Sequence, residues 1–141
     1  MSVPRRKPPE GAAEVFGEVP FHDVDALHIV WHGHYYAYME EARTTLMRSC
    51  GLDAGELIGP RFAFFVIESK CRHGYPLRYR DQMRVTAWVR DYQHRVFIAY
   101  EIQNLTRSRR SARAHTILAT TDLDDNLLLE TPDEIRRRLC A

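Results

Sequence analysis

The sequence predicts an α+β domain in which one long helix is covered by an antiparallel sheet, with a short helix at the C-terminal end. Two observations carry that prediction. Tyr35, Met39, Ala42 and Leu46 recur at intervals of three and four, with Tyr38 beside them, which gives a helix one buried stripe. Beyond Pro60 the period changes to two, in segments joined by hairpin-length turns. A single helix and an antiparallel sheet must bury their apolar faces on each other.

Length and composition frame the elements. At 141 residues and a formal charge of +1, the chain suits one ordinary globular domain without a demand for nucleic acid as partner. No apolar run is long enough to span a bilayer, and no apolar segment of a secretory leader follows Met1. Cys50, Cys71 and Cys140 are odd in number and lack metal spacing, which suggests free thiols and a cytoplasmic location. The basic residues are nearly all arginine, the side chain suited to bidentate pairing with carboxylate or phosphate.

In order, residues 1–13 hold prolines and basic residues with little to bury, and read as a mobile tail. Residues 14–141 read as a single domain. Glu14 to Phe21 is strand-like, limited by Pro20. Tyr35 to Cys50 is the helix, with Gly51 its terminator. A short helical turn around Asp53–Ile58 would stop at Gly59-Pro60. Phe62 to Tyr75 is rich in β-formers, and Pro76 opens a bend. Met83 to Val89, Val96 to Ile102 and Ala112 to Leu123 alternate as strands, the last following a polar loop from Asn104 to Ser111. Thr131, Pro132 and Glu134 have the pattern of a capping box. The terminal helix ends in Arg136, Arg137 and Arg138, favourable charges at a helix C-terminus.

The densest chemistry lies between Phe21 and Arg43. Asp23, Asp25, His28, His32 and His34 fall in a loop just before the long helix. Backbone N–H groups at a helix N-terminus can stabilise an oxyanion, while a nearby aspartate serves as nucleophile or as base for a water. A histidine there can orient the water or carry a proton. The blander alternative is that the aspartates cap the loop and the histidines are surface residues. His32 and His34 could ligate zinc with an aspartate, yet H-x-H in a loop is a weak signal and no metal is expected. Arg107, Arg109 and Arg110 lie at a hairpin tip and are either a solvated turn or a grip on substrate phosphates. Cys71 has no adjacent partner and reads as a structural thiol.

The stretch DVDALHIVWHGHYYAYMEEAR resembles the opening motif of the hotdog-fold 4-hydroxybenzoyl-CoA thioesterase superfamily. The motif runs roughly D-x-D-x-x-G-[IV]-V-[WY]-[HY]-x-[NS]-Y, with E-x-[AS]-R on the helix. Asp25, Ile29, Val30, Trp31, His32, Tyr35 and Arg43 match it, with Glu41 near its place. Together with the strand order, the resemblance covers about residues 14–139. It implies a hotdog fold, a homodimer or homotetramer with sites between subunits, and an acyl-CoA or acyl-carrier-protein thioester as substrate. It implies Asp25 as catalytic carboxylate, His32 as helper in the branch resembling Tol–Pal-associated thioesterases, and oxyanion donors among Gly33, His34 and Tyr35. It implies no cofactor. His28 stands where the motif has glycine, His34 where it has asparagine or serine, and Phe21 where some members have tyrosine. Two other readings stay open: a non-catalytic hotdog protein that binds acyl chains or a carrier protein, and a hydratase or dehydratase on the same fold.

Overall fold

The computed structural model describes residues 8–53 and 62–140, apart from the Cys140 side chain. The turn expected around Asp53–Ile58 therefore lies mostly outside the described residues. Strands β1 (Ala13–Glu18), β2 (Phe62–His73), β3 (Gln82–Asp91), β4 (Val96–Asn104) and β5 (Arg109–Asp122) form one antiparallel sheet in the order β1-β3-β4-β5-β2. Helix α1 (His34–Ser49) packs on one face, and the short α2 (Asp133–Cys140) follows the sheet. This is the hotdog arrangement: a long helix in the grip of a sheet.

The helix forms where the apolar spacing put it. Tyr35, Tyr38, Met39, Ala42, Leu46 and Met47 are buried. They meet the inward residues of the strands, among them Val85, Ala87, Ile98, Tyr100 and Ile102. Gly51 follows with φ +70, the left-handed value that ends a helix cleanly. Bulges between Val66 and Glu68, Val89 and Asp91, and Ile102 and Gln103 let the strands bend around the helix.

Four local expectations change. Ala13 begins β1, and β1 stops at Glu18 instead of Phe21, since Pro20 has no N–H to continue the ladder. Phe21–Asp23 closes into a 3-10 turn instead. The loop expected from Asn104 to Ser111 contracts to residues 105–108, because Asn104 Oδ1 takes the Arg107 N–H at 3.0 Å and Ser108 adopts φ +55. The capping box does not form: the buried Thr131 hydroxyl has no hydrogen-bond partner among the described residues, and Glu134 accepts from Arg138.

Two buried polar ties fix the frame around the site. Asp81 Oδ2 accepts from Asn104 Nδ2 at 2.7 Å and from the Arg78 N–H at 2.9 Å, which sets the bend before β3. The Leu77 carbonyl in that bend accepts the Val30 N–H at 2.8 Å, so the bend holds the loop that leads into α1.

Candidate active site

The loop before α1 is itself a miniature hairpin. The Trp31 N–H donates to the Asp23 carbonyl, Val24 and Val30 form a bridge, and the Asp25 N–H donates to the Ile29 carbonyl. At its tip the His28 N–H donates to the Asp25 carbonyl at 2.9 Å, and His28 then takes φ +64. A turn followed by a left-handed residue is a common three-residue hairpin closure, and glycine is its usual occupant. The histidine keeps the backbone conformation that glycine would have and adds an exposed side chain.

Asp25 is half-buried at the foot of this tip. Its Oδ1 accepts the Leu27 N–H at 2.8 Å, while no described residue donates to Oδ2. One oxygen thus fixes the carboxylate, and the other remains available to a water or a carbonyl carbon. Asp23 differs. It is 8% exposed, accepts the Tyr38 hydroxyl at 2.5 Å and lies 3.7 Å from His34 Nδ1 and 3.5 Å from His22 Nε2. Burial first, and the hydrogen bond to Asp23 second, push the Tyr38 phenol far above its ordinary value. Asp23 is thereby the residue that ties loop to helix.

His32 is exposed beside Trp31, with ring centroids 5.2 Å apart, and makes no hydrogen bond or ion pair with Asp25. His34 turns toward Asp23. At the helix start the His34, Tyr35 and Tyr36 N–H groups donate to the carbonyls of Trp31, His32 and Gly33. Of the three expected oxyanion donors, only the Gly33 N–H has no acceptor among the described residues. The Trp31 indole lies over Gly33 so closely that a Cβ there would meet ring carbons at 2.2 to 2.7 Å.

His73, at the end of β2, was not singled out by sequence. Its ring lies 4.5 Å from that of Tyr35 and 6.3 Å from that of His32, centroid to centroid. Desolvation, then the neighbouring His32, lower its pKa below the ordinary histidine value. The signal was available, because alternation along β2 puts residues 71 and 73 on one face. The Cys71 thiol on that face is pushed up to about 11 by burial, as befits an inert thiol.

The hairpin arginines diverge. Arg109 stacks on Tyr75 with its guanidinium 4.7 Å from the ring centroid, and Arg107 is exposed. Arg110 points to the other face of the sheet, where it lines a groove. Among the described residues no three His, Cys, Asp or Glu side chains are grouped to hold a metal, and no helix is long and apolar enough to cross a membrane.

A model of the thioesterase-like superfamily matches residues 19–139, which takes in the hairpin, both helices and the sheet from β2 onward. The chain belongs to that superfamily. It is 27% identical over 88 residues to the Bacillus subtilis (strain 168) protein named "Putative acyl-CoA thioesterase YneP", a match over 62% of this chain and 64% of that protein. The chain thus spans less than two thirds of that curated relative. Its fold is similar to that of Slr0204, a 1,4-dihydroxy-2-naphthoyl-CoA thioesterase from Synechocystis, with a TM-score of 0.79 at 20% identity over 92% of this chain and 96% of that one. It is also similar to the DHNA-CoA thioesterase from Staphylococcus aureus, with a TM-score of 0.75 at 19% identity over 84% and 80% of the two chains.

Proposed function

We propose that the protein hydrolyses an acyl-CoA thioester, with Asp25 as the catalytic carboxylate. The observation that carries this reading is the half-anchored Asp25, whose free oxygen sits in a hairpin running straight into the N-terminus of α1. Membership of a thioesterase-like superfamily and the acyl-CoA thioesterase name of a relative support the reaction class. Asp25 Oδ2 removes a proton from a water that attacks the thioester carbonyl, or attacks that carbon directly to form an acyl anhydride that water then cleaves. In both routes the C–S bond breaks and the thiolate leaves. The Gly33 N–H and the positive end of the α1 dipole stabilise the oxyanion, while His32 orients the reacting water or carbonyl.

The same reading makes the active unit a homodimer, with the β2 edges of two protomers joined. Phe65, Val66 and Ile67 are exposed in sequence on β2, an apolar sheet edge of the kind that seeks a partner strand.

Released thiol from a panel of short, long and aromatic acyl-CoAs tests the reaction, with Asp25→Asn in parallel. Asparagine still accepts the Leu27 N–H through its amide oxygen but is neither base nor nucleophile. Turnover should fall by about 100-fold or more, with circular dichroism and sedimentation unchanged; a loss smaller than tenfold would remove Asp25 from the chemistry.

One observation favours a second reading, an acyl-binding protein without turnover. The His34 and Tyr35 N–H groups are already engaged, which leaves Gly33 alone of the three expected donors for an oxyanion. Such a protein would bind acyl-CoA equally well with Asn at position 25 and release no thiol.

A further inference from the structure

The outer face of the sheet, away from α1, carries a groove that the candidate active site does not use. Alternation along β2 turns His73 toward Tyr35 and its neighbour Arg72 to the opposite side. On that side Lys70, His115, Ala99 and Trp88 form one cross-strand row, and Arg72, Arg113, Glu101 and Thr86 form the next. Arg72 stands directly opposite Arg113, a like-charge pairing that costs an antiparallel sheet stability. Lys70, Arg72, Arg90, Arg110 and Arg113 all line a groove of about 530 Å³. None of the five makes an ion pair among the described residues. Among the described residues Glu101 brings the groove's only carboxylate, and it accepts from Gln103 Nε2 at 2.8 Å.

Two of the aromatic residues that line the groove, Phe97 and Trp88, differ in what they touch. Phe97 lies between the Arg90 guanidinium, 5.5 Å from its centroid, and the stacked His115 ring at 4.9 Å. His115 Nε2 is in turn held by Glu68 Oε2 at 2.8 Å. Trp88 lines the groove, and among the described residues no ring or cation stacks on it. Unpaired guanidinium groups in a fork geometry suit phosphate oxygens, and a free indole face suits a planar base. The volume is that of a small-molecule site. A second copy of the chain fits poorly, since two-fold pairing sets these cations against themselves.

We propose that this groove binds a nucleoside diphosphate or triphosphate, its phosphates held by Arg72 and Arg113 with Lys70 and Arg110 beside them, and its base stacked on Trp88. The phosphates neutralise the Arg72–Arg113 pair, so the ligand relieves the repulsion between these two cross-strand neighbours.

Calorimetric titration of the full chain with ADP tests this without any thioester turnover, so its result is independent of the hydrolase reading. Binding should weaken at least tenfold in Arg72→Ser and in Arg113→Ser. Arg72→Ser should also melt no lower than the unsubstituted protein in the absence of ADP, since it removes the like-charge pair; this shows that the fold survives. Tripolyphosphate should bind Trp88→Leu as it binds the unsubstituted chain, while the advantage of ADP over tripolyphosphate is lost. Absence of ADP binding at millimolar concentrations, or binding indifferent to both arginines, overturns the proposal. So does a change of oligomeric state in Arg72→Ser without ADP binding, which would make the face an interface between copies. Tighter binding of an oligoadenylate than of ADP overturns it in favour of single-stranded nucleic acid. The source of the nucleotide is read from KM: a rise in the arginine variants for acyl-CoA but not for acyl-pantetheine identifies the substrate's own nucleotide end, and unchanged values for both identify a free nucleotide.

Discussion

His28 shows how a single residue departs from a motif without departing from its geometry. The motif asks for glycine because the hairpin closure needs a left-handed residue, and His28 takes φ +64 there. Histidine is among the side chains that tolerate this region, whereas a β-branched residue does not. His28→Gly should leave stability within about 1 kcal/mol, because relief of the left-handed conformation offsets the greater freedom of glycine in the unfolded chain. His28→Val should cost about 1–2 kcal/mol. Urea denaturation of the two variants checks the difference; equal midpoints would mean that the tip relaxes and that φ at this position is not held. The sequence showed the substitution but not its consequence, which depends on hydrogen bonds between backbone groups. Asp23 and Asp25 likewise look alike in a D-x-D, and only the fold buries one against Tyr38 and leaves the other an open oxygen.

At the scale of elements, period and punctuation were legible and long-range polar contacts were not. The stripe on α1 and the alternation in β3 and β4 predicted the faces that are buried, because each is a local periodicity. The terminal helix shows the limit. Its last arginines read as favourable charges at a helix C-terminus, yet Arg138 Nη1 donates to the Gly51 carbonyl at 2.6 Å, just past the end of α1, and Nη2 holds Glu134 at 3.2 Å. An arginine 87 positions away thus ties the terminal helix to the residue just past the central one, a pairing that no window of sequence contains. Arg138→Ala should destabilise the protein by about 1–2 kcal/mol through the lost charged hydrogen bond, while Arg137→Ala on the same helix should stay within about 0.5 kcal/mol. Thermal unfolding monitored by circular dichroism compares them. Equal effects would show that Arg138 contributes only helix charge.

For the whole molecule, the unfinished element is the β2 edge. Among the described residues β2 is hydrogen-bonded to β5 on one side only, and it carries Phe65, Val66 and Ile67 in the open. Soluble monomers blunt such edges with charge or proline, and here both are missing from that run. The outer face, by contrast, is so strongly cationic that it resists self-association. On the proposed reading, two copies meet by sheet extension through β2. Phe65→Lys places a charge in the middle of that edge without touching the core, since Phe65 is 58% exposed. Sedimentation should show a dimer for the unsubstituted chain and a monomer for the variant, with the same far-ultraviolet dichroism. If the hairpin that carries Asp25 works against the partner's surface, thioester turnover should disappear with the dimer although Asp25 is intact. A variant that stays dimeric would move the interface elsewhere, and a monomeric variant with full turnover would show that each chain carries a complete site.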